Sequence, residues 1–312
     1  MSGERFSKYQ AMGNDMAMID PAACAVPMTP QNIRLICDRH FGVGADGICY
    51  GPLPDAPLPN TMRFFNPDGS EAEKSGNGLR VFARYLWDAG IVTDSPFPIS
   101  INGETLAVRA LDVSARRMAI EMGRLEFTAV NHPMTFNQQT FPVTAVSIGN
   151  PHCVIITDEP EQIHTLGPLI ETAPQFPNRT NVQLVKIIDR RTIQIEIWER
   201  GAGYTLASGS SSSAAAGTAM RLGHCASPVT VHMPGGTAQV FIDEDWRVEL
   251  VGEVTAVYQA AFAPDLFKQL LLSERHSELE TAYRQMSQEE KREAEALKRI
   301  ETTIQDVSDN PQ

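Results

Sequence analysis

Short runs of alternating apolar and polar residues dominate the first 262 positions of the chain. Turn-forming glycine, proline and asparagine separate these runs, as is typical of strands joined by tight connections. The pattern predicts mainly antiparallel sheets. Representative predicted strands are 16–19, 62–65, 99–101, 118–122, 154–157, 182–188, 193–198, 229–232 and 248–250.

Three segments instead carry apolar residues at helical spacing. The first is 30–39. The second follows Gly76, where four apolar residues between 79 and 86 share one face, and the third follows Gly209 and runs through 212–222. The pattern therefore predicts a few helices set among many strands.

An internal repeat is the most informative feature of the organisation. When residue 62 is aligned with residue 195, Ser75 meets Ser208 and Gly76 meets Gly209. Each copy contains a strand, a polar loop, a Ser-Gly step and a helix of small residues, and further short matches follow in the same order. The collinear matches predict a duplicated fold, with chance similarity of two strand–loop–helix units as the alternative.

The boundary between the two copies falls near 124–128, which predicts domains over 1–125 and 126–264. The composition changes after residue 264, because residues 265–312 contain no glycine and are rich in charged residues. This segment is predicted to form a helical tail.

Charge and cysteine content exclude several classes of function. The chain has 26 Lys and Arg against 38 Asp and Glu, a net charge of −12, which argues against binding to nucleic acid or to an anionic membrane. It contains neither an apolar run of about 18 residues nor an apolar core of a secretory signal near its start. The five cysteines include no CxxC pair, so we expect buried thiols in a reducing cytoplasm.

Cofactor motifs are not supported by their context. Residues 42–47 read GVGADG, but a dinucleotide site needs a strand before this motif and a helix after it, and here the predicted order is reversed. The seven histidines lack zinc spacing, and no lysine lies in a recognisable cofactor context. The sequence therefore favours chemistry without a metal or an organic cofactor.

Two Ser-Gly steps open predicted helices, Ser75-Gly76 and Ser208-Gly209. The first N–H groups of a helix bind anions, and glycine lets a ligand approach the backbone closely. Because the steps are equivalent in the repeat, we expect both helix starts to converge on one carboxylate with a serine on either side. For each step alone, an ordinary serine N-cap is the alternative.

Polar residues near the two steps extend this candidate site. Arg200 offers a planar fork for a carboxylate, with a salt bridge to a nearby acid as the alternative. Five asparagines are candidates for recognising ammonium and carboxylate groups, with ordinary turn positions as the alternative. They are Asn14, Asn66, Asn77, Asn150 and Asn181.

Seven blocks, taken in order, resemble the diaminopimelate epimerase family. They are MGND at 12–15, DRHFGVGADG at 38–47, FNPDGS at 65–70, SGNG at 75–78, GNPHC at 149–153, TNV at 180–182 and ERGAG at 199–203. The resemblance implies an α+β fold of two pseudo-symmetric domains, each a mostly antiparallel sheet wrapped around a central helix. It also implies a cytoplasmic homodimer that interconverts LL- and meso-diaminopimelate in lysine and peptidoglycan biosynthesis, by cofactor-free two-base proton transfer.

The resemblance also assigns site residues. It implies substrate contacts from Asn14, Asn66, Asn150, Asn181, Glu199 and Arg200, and helix starts that hold the reacting carboxylate at Gly76, Asn77, Gly209 and Ser210. The family uses one cysteine before each helix as base and acid, and these catalytic positions are Ser75 and Ser208 here. A serine hydroxyl is far less acidic than a thiol and needs a partner base, so we expect an inactive or greatly weakened enzyme.

Three functions remain open at this point. The first is a diaminopimelate epimerase in which both cysteines have been replaced and binding is retained. The second is a natural relative that racemises or dehydrates another amino acid. The third is a catalytically silent binding protein that assembles through its tail.

Overall fold

The computed structural model describes residues 4–72 and 75–272 of the chain. Its first half contains helices α1 (Pro30–Cys37) and α2 (Gly76–Asp88). The strands of this half are β1 (Arg5–Ala11), β2 (Asn14–Ile19), β3 (Ile48–Tyr50), β4 (Thr61–Phe65), β5 (Phe97–Ile101), β6 (Glu104–Ala110) and β7 (Arg117–Arg124).

The second half contains helices α3 (Ile163–Glu171) and α4 (Gly209–Arg221). A short 3-10 turn, Pro160–Gln162, precedes α3. The strands of this half are β8 (Glu126–Phe136), β9 (Gln139–Ser147), β10 (Pro151–Ile156), β11 (Asn181–Asp189), β12 (Thr192–Glu199), β13 (Gly203–Thr205), β14 (Val229–Met233), β15 (Gly236–Ile242), β16 (Arg247–Glu253) and β17 (Thr255–Ala261).

The two halves repeat the same sequence of strand pairings. β2 pairs in parallel with β3, β3 antiparallel with β4, and β4 in parallel with β5. In the second half, β10 pairs in parallel with β11, β11 antiparallel with β12, and β12 in parallel with β14. α1 and α3 occupy equivalent crossovers. The predicted duplication and the two-domain α+β fold are confirmed.

The central helices α2 and α4 are each 13 residues long and begin directly after a serine. α4 consists almost entirely of glycine, serine and alanine, and nearly all of it is buried. Small side chains let the strands approach this helix from several sides, because a larger residue would overpack the interior. At Gly217, for example, an added Cβ would collide with the side chain of Leu125.

Two strand pairings tie the halves together. β16 pairs antiparallel with β7, and β17, which lies within the predicted 126–264 segment, pairs antiparallel with β1. The chain therefore returns to its first half before the C-terminal segment begins.

The start of the predicted tail is helical over residues 264–272. Leu270 is buried there, and its carbonyl accepts a 2.9 Å hydrogen bond from the Asn32 side chain at the start of α1. The rest of the predicted tail, residues 273–312, lies outside the described residues. The helices of the described segments are all too short or too polar to cross a membrane. All five cysteines are buried, as predicted.

Candidate active site

The helices α2 and α4 begin side by side. A Cβ added to Gly76 would lie 3.4 Å from the Cα of Gly209, and one added to Gly209 would lie 3.3 Å from the Cα of Gly76. Each helix start carries N–H groups without intrahelical partners and the positive end of a dipole. The two glycines therefore bring the N-terminal ends of two helices into contact.

The serines before these glycines cap their own helices. Ser75 Oγ accepts a hydrogen bond from the Gly78 N–H at 3.1 Å, and Ser208 Oγ accepts one from the Ser211 N–H at 3.4 Å. Each hydroxyl still has a proton to donate and a further lone pair. The N-cap alternative therefore describes the local geometry of both serines, and each of them directly precedes one of the two glycines in contact.

Glu199, at the end of β12, is a partly buried carboxyl group near Ser208. Burial raises the pKa of Glu199, and the nearby Ser208 hydroxyl opposes the rise. The Ser208 Oγ itself lies 3.5 Å from Ser210 Oγ. The negative charge of Asp46 raises the Glu199 pKa further. Within the described residues, the Ser75 hydroxyl makes no corresponding bond to a carboxylate or an imidazole.

Hydrogen bonds of asparagine side chains join the two halves next to the helix starts. The Asn77 amide nitrogen donates to Asn14 Oδ1 and to the Ala207 carbonyl, both at 3.1 Å. Asn14 in turn donates to Asp46 Oδ2 at 3.2 Å. One asparagine of α2 is thereby held against both β2 and the loop that leads into α4.

Asp46 belongs to a compact group of charges. Arg39 Nη2 contacts Asp15 Oδ1 at 2.6 Å and Asp46 Oδ1 at 2.7 Å, and Lys8 Nζ contacts Asp15 Oδ2 at 2.6 Å. Burial opposes ionisation of Asp15, but hydrogen bonds from Arg39 and Lys8 outweigh it and lower the Asp15 pKa to about 2. Burial and the hydrogen bond with Asp15 raise the pKa of Asp46. Asp46 therefore holds a proton more readily than Asp15.

The second half contributes a parallel set of amides. Asn150 donates to Ser210 Oγ at 3.4 Å, and its Oδ1 lies 3.0 Å from His152 Nε2. Asn181 accepts a 2.9 Å bond from the Arg200 backbone N–H. Burial lowers the pKa of His152 to about 3, so its imidazole is neutral near pH 7.

The comparison with known proteins decides the family. The sequence profile of the diaminopimelate epimerase family matches residues 6–128 and 144–257. Diaminopimelate epimerase 2 of Nostoc sp. is 47% identical over 277 residues, which are 84% of this chain and 97% of that protein. The diaminopimelate epimerase of Desulfitobacterium hafniense is 36% identical over 281 residues, 83% of this chain and 98% of that protein. The chain belongs to the diaminopimelate epimerase family.

Solved structures extend the fold relationship beyond this family. A hydroxyproline epimerase from Agrobacterium vitis has a TM-score of 0.63 at 11% identity, over 84% of this chain and 94% of that one. A phenazine biosynthesis protein from Bacillus anthracis has a TM-score of 0.62 at 13% identity, over 84% of this chain and 100% of that one. Membership in the family places the chain among isomerases, specifically racemases and epimerases.

Two residues that the family resemblance selected are not joined to this hydrogen-bonded site. Asn66 bonds to Ser70 Oγ at 3.0 Å within its own turn. The Arg200 guanidinium donates to the Asn178 carbonyl at 3.4 Å, although the Arg200 backbone is held by Asn181. Within the described residues, no three acidic, histidine or cysteine side chains come together as metal ligands.

Sequence reasoning missed two residues beside the helix starts. Asp46 lies in the GVGADG segment, whose sequence pattern predicts no role for this carboxylate. Arg80 lies on α2 between the buried residues Leu79 and Val81, and its Nη2 donates to Asn77 Oδ1 at 2.5 Å. A cation inside an otherwise apolar helical segment was the available signal.

Proposed function

We propose that the chain is a cofactor-independent amino-acid epimerase of the diaminopimelate type whose turnover is greatly weakened by serine at its two proton-transfer positions. The contact between Gly76 and Gly209, with a serine immediately before each, carries this proposal. The reaction requires a carboxylate site and one proton-transfer group on each side of the α-carbon, and in the proposal the two helix starts and the two serines fill these roles. The names of the relatives support diaminopimelate as the substrate.

The helix starts account for acidification of the α-proton. When this proton leaves, negative charge develops on the adjacent carboxylate, and preorganised N–H groups stabilise that charge. Gly76, Asn77, Gly209 and Ser210 lie at these helix starts. In the proposal, the remaining amino and carboxyl groups of the substrate are recognised by Asn14, Asn66, Asn150, Asn181, Glu199 and Arg200.

The serines account for the weak turnover. A free thiol has a pKa of about 8.5 and yields a usable thiolate, whereas a serine hydroxyl needs a base to take its proton. In the proposal, the Glu199 carboxyl group near Ser208 takes the proton of that hydroxyl. The Ser208 side is then expected to remove or return a proton more readily than a serine without a base. Residual α-hydrogen exchange is expected on one face of the α-carbon, without efficient inversion.

The domain assignment belongs to the same proposal. Residues 1–125 provide Ser75 and α2, residues 126–264 provide Ser208 and α4, and the substrate lies between them. The homodimer, the cytoplasmic location and the place in lysine biosynthesis follow from the family and are proposed on that ground.

Restoring the cysteines tests the proposal. We expect the parent chain to bind diaminopimelate in calorimetry and to exchange its α-hydrogen slowly in deuterated buffer. The double variant Ser75→Cys/Ser208→Cys should epimerise diaminopimelate at least 10²- to 10⁴-fold faster, the usual effect of a well-placed general acid or base. The single variants are matched controls, because each restores one side and should raise exchange more than inversion.

The alternatives give different results. A parent chain that does not bind diaminopimelate but exchanges the α-hydrogen of another amino acid is a relative with a different substrate. A parent that binds, but gains no epimerisation in the double variant, is a silent binding protein. Rapid exchange by the unmodified chain would contradict the weakened-enzyme proposal directly.

A further inference from the structure

Arg80 is a fully buried arginine in the interior of the first half. Its relative exposure is 0%, and burial lowers the pKa of its guanidinium to about 10, so the group remains charged at neutral pH. Long helical side chains point back toward the N-terminus of their helix. Arg80, one turn into α2, accordingly reaches back to Asn77 at the helix start.

Within the described residues, the charge of Arg80 has no counter-charge. Its Nη2 bonds to the neutral Asn77 amide, while Nε and Nη1 have no hydrogen-bond partner. No ion pair joins Arg80 to a carboxylate within the described residues. Four other arginines of the chain show the contrast, since Arg39, Arg63, Arg84 and Arg109 each pair with a carboxylate.

The guanidinium lies directly beside the joined helix starts. Its Nη1 is 3.7 Å from the position that a Cβ on Gly209 would occupy. On its other side, a Cβ on Gly252 in β16 would lie 3.0 Å from Cζ. The buried guanidinium thus lies close both to β16 of the second half and to the first residue of α4.

Three sources of positive potential meet at this point. They are the N-termini of α2 and α4 and the Arg80 guanidinium, and burying an unpaired charge is strongly unfavourable unless an opposite charge compensates it. Positive potential that is concentrated at one point is typical of a site that binds an anion. It is also typical of a site where negative charge develops during the reaction.

We propose that Arg80 is a positioning residue whose charge is compensated only when a carboxylate binds at the starts of α2 and α4, and whose bond to Asn77 aims that amide. The inference rests on the proposed function, because it takes the α-carboxylate of an amino acid as the anion. Arg80 acts through the backbone of α4 and through Asn77. It sets the affinity for the carboxylate and the stabilisation of charge on it.

Calorimetry with meso-diaminopimelate tests the binding part. Arg80→Met removes the charge while keeping much of the apolar stem, and should weaken binding by about 10- to 100-fold, as expected for loss of a charge-assisted interaction. Arg80→Lys keeps the charge and should retain most of the affinity. Arg84→Met is the matched control on the same helix, since Arg84 is compensated by Asp88 at 2.8 Å, and it should bind like the parent.

Thermal unfolding separates this role from a structural one. Without ligand, Arg80→Met should be at least as stable as Arg84→Met, because it removes a buried charge that no described carboxylate compensates, whereas the Arg84–Asp88 pair is partly exposed and contributes little stability. Sodium oxalate should raise the unfolding temperature of the parent and of Arg80→Lys. It should have a much smaller effect on Arg80→Met, with sodium chloride at equal ionic strength as the reference.

The outcomes distinguish the inference from the proposed function. If the parent fails to bind diaminopimelate but oxalate stabilises it in an Arg80-dependent way, the proposed substrate is wrong and the role of Arg80 stands. If Arg80→Met binds diaminopimelate and responds to oxalate as the parent does, the inference is overturned. It is also overturned if neither carboxylate affects the parent, or if Arg80→Met is much less stable than Arg84→Met.

Discussion

Gly76 and Gly209 are packed so closely that a side chain on either would press on the backbone of the other. The Cβ of an alanine at 209 would lie 3.3 Å from the Cα of Gly76 and 2.9 Å from Leu250 Cδ2. The spacing between the two helix starts therefore depends on the absence of two methyl groups. In the proposed function, the same spacing sets the geometry of the carboxylate site.

Gly209→Ala is expected to separate the helix starts. Overpacking of this kind reduces the free energy of unfolding by about 1–3 kcal/mol, and the displaced N–H groups should weaken diaminopimelate binding as well. Urea denaturation and calorimetry measure the two effects. Gly90→Ala, after the other end of α2, is the control: φ is +68° and nothing lies within 4 Å of the added Cβ. It should reduce stability by about 1 kcal/mol and leave affinity unchanged.

His152 is expected to make the fold sensitive to acid. Its pKa is about 3 in the folded protein, below the usual 6.5, so the unfolded chain binds a proton first. The contribution of neutral His152 to the free energy of unfolding is therefore fully present above about pH 6.5. It is lost as the pH falls toward 3, at up to about 1.4 kcal/mol per pH unit. In urea denaturation between pH 7 and pH 4, the free energy of unfolding should fall less steeply for His152→Gln than for the parent. The exposed His232 provides the control, and His232→Gln should retain the parental slope.

Asn77→Asp is expected to weaken carboxylate binding. The new carboxylate would pair with Arg80 and neutralise the potential beside the helix starts, and the two bonds donated to Asn14 and Ala207 would be lost. Affinity for diaminopimelate should fall by about tenfold or more. Asn137→Asp, in an exposed turn, changes the net charge equally and should bind like the parent. Equal affinities for the two variants would contradict the role assigned to Asn77.

Restoration of the cysteines is expected to reduce stability while it increases activity. Ser75 and Ser208 accept hydrogen bonds from the third residue of their helices, and cysteine is a weaker acceptor. Each substitution should reduce the free energy of unfolding by about 0.5–2 kcal/mol. Thr29→Ala removes the equivalent cap of α1 and is the control, with a similar loss of stability and no change in diaminopimelate binding. A double cysteine variant as stable as the parent would show that the caps contribute little.

The sequence predicted α1, α2 and α4 better than the remaining elements. The Ser-Gly steps predicted the first residues of α2 and α4 because a capping serine and a small residue mark a helix start. α3 was not predicted, since Pro168 lies inside it and proline usually ends a helix. β8 was also missed, because most of its residues are exposed and the alternation that reveals a strand is weak there.

The candidate site was predictable in part for a similar reason. Local motifs predicted which residues begin each helix, whereas contacts between the halves depend on burial and long-range packing. The proximity of Glu199 to Ser208 joins residues of different elements, and the lack of an ion-pair partner for Arg80 among the described residues depends on which groups surround it in three dimensions. A linear pattern carries neither kind of information.

The return of β17 to β1 means that the duplicated halves cannot be obtained as independent fragments. A fragment ending at residue 125 would expose the backbone edge of β1, and a fragment beginning at 126 would carry β17 without its neighbour. Unpaired strand edges of this kind promote aggregation. Dissection of the gene at the repeat boundary should therefore give two insoluble products, whereas co-expression of both fragments should recover a nicked but folded protein.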